Sequence, residues 1–377
     1  MDNWTEYSLG ELLSYEQPTA YLVKSTDYNN KNKIPVLTAG KTFILGYTNE
    51  NHGVYDTLPA IIFDDFTTAS QYVNFKFKVK SSAMKILTAN IKLVVPKFIF
   101  YRMQIIKFDA STHKRYWIQQ YSKIKVKIPP IPEQERIVAR IEELFSRLDN
   151  SVNELKKAKE RLKVYRQAVY ASIYKDLSDM HPITEFFEIS SGLTKNSKRN
   201  DMPIKMPYLR VANVYYDYLD LTEIKDIGVS EREIEPCRLK PNDLLFVEGN
   251  GSKSQIGRVA IWDGSIPNCL HQNHLIKGRP LGNMLSRYAL YYLISRDGRK
   301  QIVDVAKSTS GLYTLSINKV KDLIIPYCDL AQQQQLLATI EEHLSICISI
   351  EKNVDVALQQ AEALRQSILK KAFEGGL

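Results

Sequence analysis

The stretch Ile141-Glu142-Glu143, within the segment Glu133–Leu177, recurs as Ile340-Glu341-Glu342 within the segment Gln332–Leu377. The two segments align without a gap at a constant offset of 199 residues. An internal repeat decides the architecture of a chain before any local motif does, because each copy is one structural unit. Other positions identical in both copies are Gln134/Gln333, Ala139/Ala338, Ser146/Ser345, Ala158/Ala357 and Arg166-Gln167/Arg365-Gln366. The repeat therefore predicts two half-molecules fused in tandem, in the order globule, helix, globule, helix.

Each copy predicts one long helix. The first, over residues 133–176, follows the extended strip Ile128–Pro132, and a proline is tolerated just before a helix. The second follows the strip Ile324–Pro326 and stops at Glu374-Gly375-Gly376. Apolar residues spaced by three and four form a predicted seam in both copies: Leu155, Ala158, Leu162, Tyr165 and Val169, then Val354, Ala357, Ala361, Leu364 and Ile368.

These helices are too long for a short globule to bury. At about 1.5 Å per residue each would extend about 60 Å. We therefore expect them to pack on each other, antiparallel if the two halves are related by a pseudo-twofold axis. A homodimeric coiled coil between two chains is the alternative.

The predicted fold class is α+β, with two mixed α/β domains separated by the two long helices. The predicted parts are residues 1–130, 131–177, 178–328 and 329–377, alternating domain and helical spacer. Trp4–Leu12 predicts a short strand that leads into a helix, 92–102 a strand or a helix, and 285–295 an amphipathic helix. Further strands are predicted at 34–38, 60–63, 74–79, 208–211, 244–247 and 258–262.

Composition favours a soluble protein with room for two domains. The chain has 377 residues, of which 44% are hydrophobic and 25% charged. It has no apolar run of the roughly 18–20 residues that span a bilayer. The start Met1–Thr5 has no features of a secretory signal, so we expect a cytoplasmic protein. Four scattered cysteines, expected to be reduced and to form no zinc site, are Cys237, Cys269, Cys328 and Cys347.

Positive charge is concentrated in the globules. The net charge is +9; residues 1–128 hold 17 Lys and Arg against 10 Asp and Glu, and residues 180–326 hold 20 against 16. The rest of the chain sums to −2. Such a distribution suits two globules that grip a polyanion. The alternative is that a modest lysine surplus only keeps the protein soluble.

Catalytic motifs are weak. Gly249–Ser254 lacks the Walker spacing, and no GxGxxG, S-adenosylmethionine loop or (Asn/Asp)-Pro-Pro-(Tyr/Phe) motif is present. Glu223 and Lys225, with Asp217 or Asp220, resemble a nuclease set, but short Glu-x-Lys strings are frequent by chance. His271 and His274 are a possible metal pair, although such pairs are more often ordinary polar residues.

Polar loops indicate nucleic-acid recognition more strongly. They combine phosphate-binding side chains with amides that can make bidentate contacts to adenine. Asp64 could accept a hydrogen bond from cytosine, although an aspartate at a turn is more often a cap. Candidate DNA-contacting residues are Thr38, Lys41, Thr42, Tyr47, Asn49 and Thr67 in the first globule, and Lys195, Asn196, Lys198, Arg199, Asn250, Ser252, Lys253, Gln255, Gln272, Asn273, Ser308 and Thr309 in the second.

Several strings of residues, together with the order of the parts, carry a family resemblance. The strings are Ile128–Glu135, Ile141–Phe145, Tyr208–Val214, Leu239–Phe246, Ile256–Ala260, and Leu364–Gly375 with Gln332–Gln335 and Ile340–Glu342. With these strings in this order, the chain resembles the specificity subunits of type I restriction–modification systems, and the resemblance covers the whole chain.

The resemblance implies a non-catalytic, DNA-binding subunit. Each globule would be a target-recognition domain that reads one half of a bipartite DNA sequence, and the helices would set the spacing. The helices would also dock two methyltransferase (modification) subunits, which restriction/translocase subunits join. This chain would hold no metal or cofactor, and S-adenosylmethionine, ATP and Mg²⁺ would be bound by the partner subunits. Two alternatives stay open: a coiled-coil scaffold without DNA specificity, and a stand-alone nuclease.

Overall fold

The structure, a computed structural model, describes residues 3–40, 42–111, 114–249, 252–306, 313–374 and 376. The chain divides into two compact units. The first unit comprises Met1–Lys156 with Asp355–Leu377, and the second unit comprises Lys157–Val354. Each unit holds one globule and a portion of both long helices. The predicted division into four parts, two domains and two spacers, stays a prediction.

The first globule is built mainly from short strands, and a long helix follows it. Its helices and strands are β1 (Thr5–Ser8), α1 (Leu9–Leu12), β2 (Leu13–Glu16), β3 (Ile34–Leu37), β4 (Ile44–Thr48), β5 (Ala60–Asp64), β6 (Ser70–Val73), β7 (Lys78–Val79), β8 (Met84–Ala89), α2 (Pro96–Met103) and β9 (Lys125–Ile128), followed by the long helix α3 (Ile131–Tyr174).

The second globule has more helix but the same kind of strands. Its elements are β10 (Met180–Pro182), β11 (Phe187–Ser191), β12 (Ile204–Leu209), β13 (Lys225–Val229), α4 (Glu231–Cys237), β14 (Leu244–Val247), β15 (Val259–Ile261), β16 (Leu270–His271), β17 (Leu275–Pro280), α5 (Ser286–Ile294), α6 (Arg296–Ala306), α7 (Ile317–Lys321) and β18 (Ile324–Pro326), followed by the long helix α8 (Leu330–Phe373).

The two globules share one sheet topology. The first has a four-stranded antiparallel sheet in the order β2-β8-β5-β6, and the second has β11-β17-β14-β15. Each also has a three-stranded sheet, β4-β3-β7 or β13-β12-β16, in which the central strand has one antiparallel and one parallel neighbour. The pairs β1-β9 and β10-β18 join the start of each globule to its end. The repeat seen in the helices therefore extends through both globules.

Helices α3 and α8 pair within one chain. In the first unit, the beginning of α3 packs against the end of α8, where Arg365 forms an ion pair with Asp149 and lies 4.3 Å from the centre of the Phe145 ring. In the second unit, the end of α3 packs against the beginning of α8, where Arg166 bonds Glu351 at 2.7 Å. The predicted antiparallel pairing is confirmed.

The predicted seam is wrong at one position of each helix. Tyr165 is 44% exposed, and Leu364, its counterpart in the repeat, is 51% exposed. The next residues, Arg166 and Arg365, turn inward instead and bond the opposite helix. A strict alternation of three and four residues predicted that Tyr165 would be buried between the helices. A straight α-helix has 3.6 residues per turn, so the face that it buries drifts away from the heptad positions along its length.

Most predicted elements of the globules are confirmed. The segment 92–102, predicted as a strand or a helix, overlaps α2, which runs from Pro96 to Met103 with its proline in the first turn. The predicted strand 74–79 is mostly wrong, because only Lys78 and Val79 are in a strand. Helix α5 is not amphipathic: eight of its nine residues are buried. Helix α6, β15 and β18 pack around it, together with Tyr170 and Tyr174 of α3.

Each globule shares a hydrophobic core with the long helices. In the first unit, Trp117 and Phe98 pack in one cluster with Ile141 of α3 and Phe373 of α8. In the second unit, Tyr288 of α5 packs in one cluster with residues of α3 and α8. Burial of each such large apolar side chain contributes about 1.5–3 kcal/mol, so each globule is fixed firmly to its stretch of helix pair.

Candidate nucleic-acid interface

Backbone hydrogen bonds bring four loops of the second globule together at one end of its sheets. The Gln272 amide donates to the Leu209 carbonyl at 2.9 Å, and the Asn273 amide donates to the Leu193 carbonyl at 2.9 Å. The Glu248 amide donates to the His274 carbonyl at 3.0 Å. These bonds bring together the loops 192–203, 210–224 and 272–274 and the described residues 248–249 and 252–258, which follow β11, β12, β16 and β14. This end of the second globule is the candidate interface.

Most candidate residues of the second globule lie on these loops. Those with exposed side chains are Lys195, Asn196, Lys198, Ser252 and Lys253, and those with half-buried side chains are Gln255, Gln272 and Asn273. Cations and amides are thus brought together from three separate parts of the sequence. Asn250, Ser308 and Thr309 lie outside the described residues.

Arg199 is a correction to the predicted site. It is only 7% exposed, and its guanidinium bonds both carboxylate oxygens of Glu233, at 2.7 and 3.2 Å. It also donates to the carbonyls of Thr194 and Gly228, at 2.6 and 2.9 Å. The hydrogen bonds from Arg199 lower the pKa of Glu233 to about 2. Arg199 fixes the base of the loop that carries Lys195 and Lys198, and is not itself available to DNA.

Two arginines that sequence reasoning missed hold the loop 252–258 in place. Arg299 donates to the carbonyls of Gly257 and Ile256, at 3.0 and 2.7 Å. Arg258 donates to the Val211 carbonyl at 3.2 Å, and its guanidinium lies 5.0 Å from the centre of the Tyr215 ring. These contacts hold the loop against α6 and against the loop after β12. No local motif could reveal them, because the partners are far apart in sequence.

A basic cleft adjoins the same loop. It has a volume of about 600 Å³, and Lys253, Arg296 and Lys300 line it together with Ser252 and Ser254. Arg296 and Lys300 lie at the exposed start of α6. Exposed cations beside hydroxyl groups suit the phosphates of a nucleic-acid backbone. The cation-rich run Arg296–Lys300 was the signal in the sequence that could have identified Arg296 and Lys300 as interface residues.

In the first globule, three candidate residues lie at the equivalent end of the sheets. Thr38 and Thr42 follow β3, and Thr67 follows β5; the strands β12 and β14 are their counterparts. The Thr38 hydroxyl donates to the Thr42 carbonyl at 2.8 Å. The backbone amide of Lys80, a residue that sequence reasoning missed, donates to the Leu37 carbonyl at 3.1 Å, so an exposed cation lies next to the end of β3.

The remaining candidates of the first globule are placed differently. Strand β4 runs antiparallel to β3, so Asn49, directly after β4, lies at the opposite end of the sheet. Tyr47 lies within β4, and its carbonyl accepts from the Asn29 amide at 2.9 Å. Lys41 lies outside the described residues. Asp64 caps its turn, as its alternative interpretation predicted, by accepting from the Phe66 and Thr67 amides, both at 2.9 Å.

The groups considered for metal or nuclease chemistry have other partners. The Nδ1 atom of buried His271 lies 2.9 Å from the Cys237 carbonyl, and burial lowers the pKa of this histidine to about 3. His274 lies 2.7 Å from Glu248, and Asp217 pairs with Arg287 at 2.5 Å. Glu223 pairs with Lys225 at 3.2 Å. Among the residues that the structure describes, no group of three or more potential ligands could hold a metal ion.

Comparison with known proteins decides the family. The sequence model of the type I restriction modification DNA specificity domain matches residues 1–161 and 176–360. The chain belongs to this family. It is 31% identical over 378 residues to the specificity subunit of the type I restriction enzyme EcoR124I/EcoR124II from Escherichia coli, covering 94% of this chain and 90% of that protein.

Solved structures of family members share the fold. A chain from a structure on complex assembly and conformational transition of the type I R-M system matches with a TM-score of 0.72 at 16% identity, covering 100% of this chain and 99% of that one. The HsdS subunit from Thermoanaerobacter tengcongensis matches with a TM-score of 0.53 at 17% identity, covering 100% and 98%. Separately, no helix in the described part of the chain is long and apolar enough to cross a membrane.

Proposed function

We propose that this chain is the specificity subunit of a type I restriction–modification complex, in which each globule reads one half of a bipartite DNA sequence. One observation carries the proposal. The chain contains two globules of the same topology, each joined to one copy of a repeated helix. A protein that reads two half-sites needs two such readers, and two readers with different loops recognise two different half-sites.

The candidate loops supply the two kinds of contact that DNA recognition requires. Exposed Lys195, Lys198 and Lys253 can neutralise phosphates, a contribution that weakens as salt rises. The amides of Gln272 and Asn273 can bond base edges, which is where sequence is read. In the first globule, Thr42, Thr67 and Lys80 lie at the equivalent end of the sheets. The proposed reading surfaces are these two sets of loops.

The helix pair has the proposed role of a spacer. Half-sites on one face of B-form DNA are separated by about 34 Å per helical turn. A packed pair of helices can hold such a distance, whereas a flexible linker cannot. The antiparallel contacts at Arg166–Glu351 and Arg365–Asp149 contribute to this stiffness.

Catalysis is proposed to reside on partner subunits. Two modification subunits would bind the helices and methylate adenine with S-adenosylmethionine. Restriction/translocase subunits would use ATP and Mg²⁺. We place the complex in the cytoplasm, which suits four cysteines that are all unpaired and buried.

Family membership does not favour the two alternatives. A coiled-coil scaffold without DNA specificity gives no reason for two equivalent sets of polar and basic loops. A stand-alone nuclease needs a metal site, and the carboxylates considered for it, Asp217 and Glu223, are engaged in ion pairs.

Methylome sequencing tests the proposal. The host genome is sequenced with this chain present, with it deleted, and with it restored from a plasmid. We expect adenine methylation at one split motif, lost on deletion and regained on restoration. A motif that persists without the chain, or one that is contiguous, would contradict the proposal.

A further inference from the structure

Each unit contains a cleft between its globule and its stretch of helix pair. The first cleft, in the first unit, has a volume of about 590 Å³ and is lined by Gln104, Phe145, Asp149, Glu362 and Arg365, among others. The second cleft, in the second unit, has a volume of about 770 Å³ and is lined by Lys163, Arg166, Ile294, Leu344 and Ile348, among others.

The repeat builds the same cleft twice. The offset of 199 residues carries the helical lining of one cleft onto that of the other: Phe145 onto Leu344, Asp149 onto Ile348, Lys163 onto Glu362, Arg166 onto Arg365 and Gln167 onto Gln366. The wall from the globule corresponds too. Gln104 follows α2 and Ile294 ends α5, nine residues after Val95 and Leu285, the residues that cap these two helices.

The arginine and glutamine that are identical in the two copies of the repeat line both clefts. Arg166 and Arg365 are each bonded to a carboxylate of the opposite helix, so both are held in place rather than free to move. Two clefts of one construction suit two copies of one partner. In the proposed complex, that partner is the modification subunit.

Positions that differ between the two copies of the repeat give the two clefts opposite net charge. The first cleft is lined by Glu142, Asp149 and Glu362 against a single Arg365. The second is lined by Lys163, Arg166 and Arg299 against a single Asp217. Ion-pair partners lie just outside these linings. Lys97 bonds Glu142 in the first cleft; in the second, Glu351 bonds Arg166, Glu160 bonds Lys163 and Arg287 bonds Asp217. Including all of them leaves the first cleft negative and the second positive.

The second cleft is also the more apolar of the two. Ile348 and Ile294 stand where the first cleft has Asp149 and Gln104. Two further isoleucines of α8, Ile346 and Ile350, are 51% and 41% exposed on the same stretch of helix. Exposed apolar side chains beside a cleft are typical of a surface that a partner covers.

We propose that the same acidic segment of the modification subunit, anchored by apolar residues, docks in both clefts, and that it docks tightly in the second and weakly in the first. The inference rests on the proposed function for the identity of the partner. Attraction to Lys163 and burial against Ile348 favour the second cleft, whereas Glu362 and Asp149 repel the same segment in the first. The specificity subunit would therefore recruit its two modification subunits one after the other.

Titration of purified modification subunit into the full-length chain, followed by native mass spectrometry and calorimetry, tests the inference. We expect two dissociation constants separated by about tenfold or more, which converge when salt is raised from about 50 mM to about 500 mM, because screening removes both the attraction and the repulsion. Lys163→Glu should weaken the tighter site, and Glu362→Lys should strengthen the weaker site, each by several-fold.

Two charge reversals at exposed helix positions outside the clefts, Lys352→Glu and Glu135→Lys, are the matched controls and should leave both constants unchanged. Two equal dissociation constants, or cleft variants that act in the opposite direction, would overturn the unequal docking and leave the proposed function intact. If neither the original chain nor any variant bound the modification subunit, the proposed partner would also be wrong. DNA binding by the chain alone would then test the DNA-reading part of the proposed function.

Discussion

Gln134 and Gln333, separated by 199 residues, make the same buried hydrogen bonds in the two units. Both side chains are fully buried. The Gln134 side-chain oxygen accepts from the Val95 amide at 2.8 Å, and its nitrogen donates to the Pro129 carbonyl at 2.8 Å. The Gln333 oxygen accepts from the Leu285 amide at 2.9 Å, and its nitrogen donates to the Cys328 carbonyl at 2.8 Å. Each long helix is thus bonded to the residue that caps a helix of its own globule.

Replacing either glutamine should destabilise its unit. Gln134→Leu and Gln333→Leu keep the volume but leave a buried amide and a buried carbonyl without a partner, so we expect each to lower the free energy of unfolding by about 2–4 kcal/mol. Urea unfolding followed by circular dichroism measures the loss. Gln334→Leu, at the exposed neighbouring position, is the control. A loss below about 0.5 kcal/mol in both variants would show that these bonds do not hold the globules.

The ion pair between Arg199 and Glu233 should make stability depend on acid pH. The pKa of Glu233 is lowered from its usual value of 4.5 to about 2 in the folded protein. A lowered folded pKa gives stability that is complete above the unfolded pKa and is lost as pH falls from about 4.5 towards about 2.

Glu233→Gln should therefore remove about 1–2 kcal/mol near neutral pH, after allowance for solvent screening, and should flatten the fall in stability between pH 5 and 2. Thermal unfolding at several pH values measures both effects. An unchanged acid slope in the variant would refute this account of the loop that carries Lys195 and Lys198.

Lysines of the candidate interface should contribute to DNA binding without selecting sequence. We expect Lys198→Ala and Lys253→Ala each to weaken binding to all DNA sequences alike and to reduce the slope of log affinity against log salt by about 1. Fluorescence anisotropy over a range of salt concentrations measures this slope. Lys352→Ala, on α8 of the same unit, should change nothing. A change in sequence preference would mean that these lysines contact bases.

Much of the fold could be predicted from the sequence because the repeat lies in the helices. Gln134, Ile141 and Arg166 recur with their spacing intact, and spacing along a helix defines which residues share a face. The sequences of the two globules have diverged too far to predict that they share a topology. The strand order of their sheets shows it, including the parallel pairs β3-β7 and β12-β16.

The individual site residues were harder to predict, for a physical reason. Lys198 and Arg199 are neighbours in one polar loop, yet the first is exposed and the second is buried against Glu233, which is 34 residues away. Exposure depends on such distant partners, which composition does not reveal. Lys300 was missed for the same reason. Helix α6 brings this lysine to the same cleft as Lys253, from which it is distant in sequence.

The length of the helix pair should set the gap between the half-sites. We expect one heptad inserted into the 155–169 seam, with a matched heptad in 354–368, to lengthen the pair by about 10 Å, since each residue adds about 1.5 Å. The DNA spacer should grow by about three base pairs, while both half-sites keep their bases. Methylome sequencing of a host that carries the variant measures the motif. Altered half-site bases with an unaltered spacer would refute the spacer role.

Each globule is proposed to read its own half-site independently of the other. Methylome sequencing of a pair of loop variants tests this most directly. One variant carries Gln272→Ala with Asn273→Ala, and the other carries Thr42→Ala with Thr67→Ala. We predict that each variant relaxes or changes one half of the split motif only, and that the two variants affect opposite halves. Variants that both alter the same half, or that alter both halves together, would contradict the assignment of one half-site to each globule.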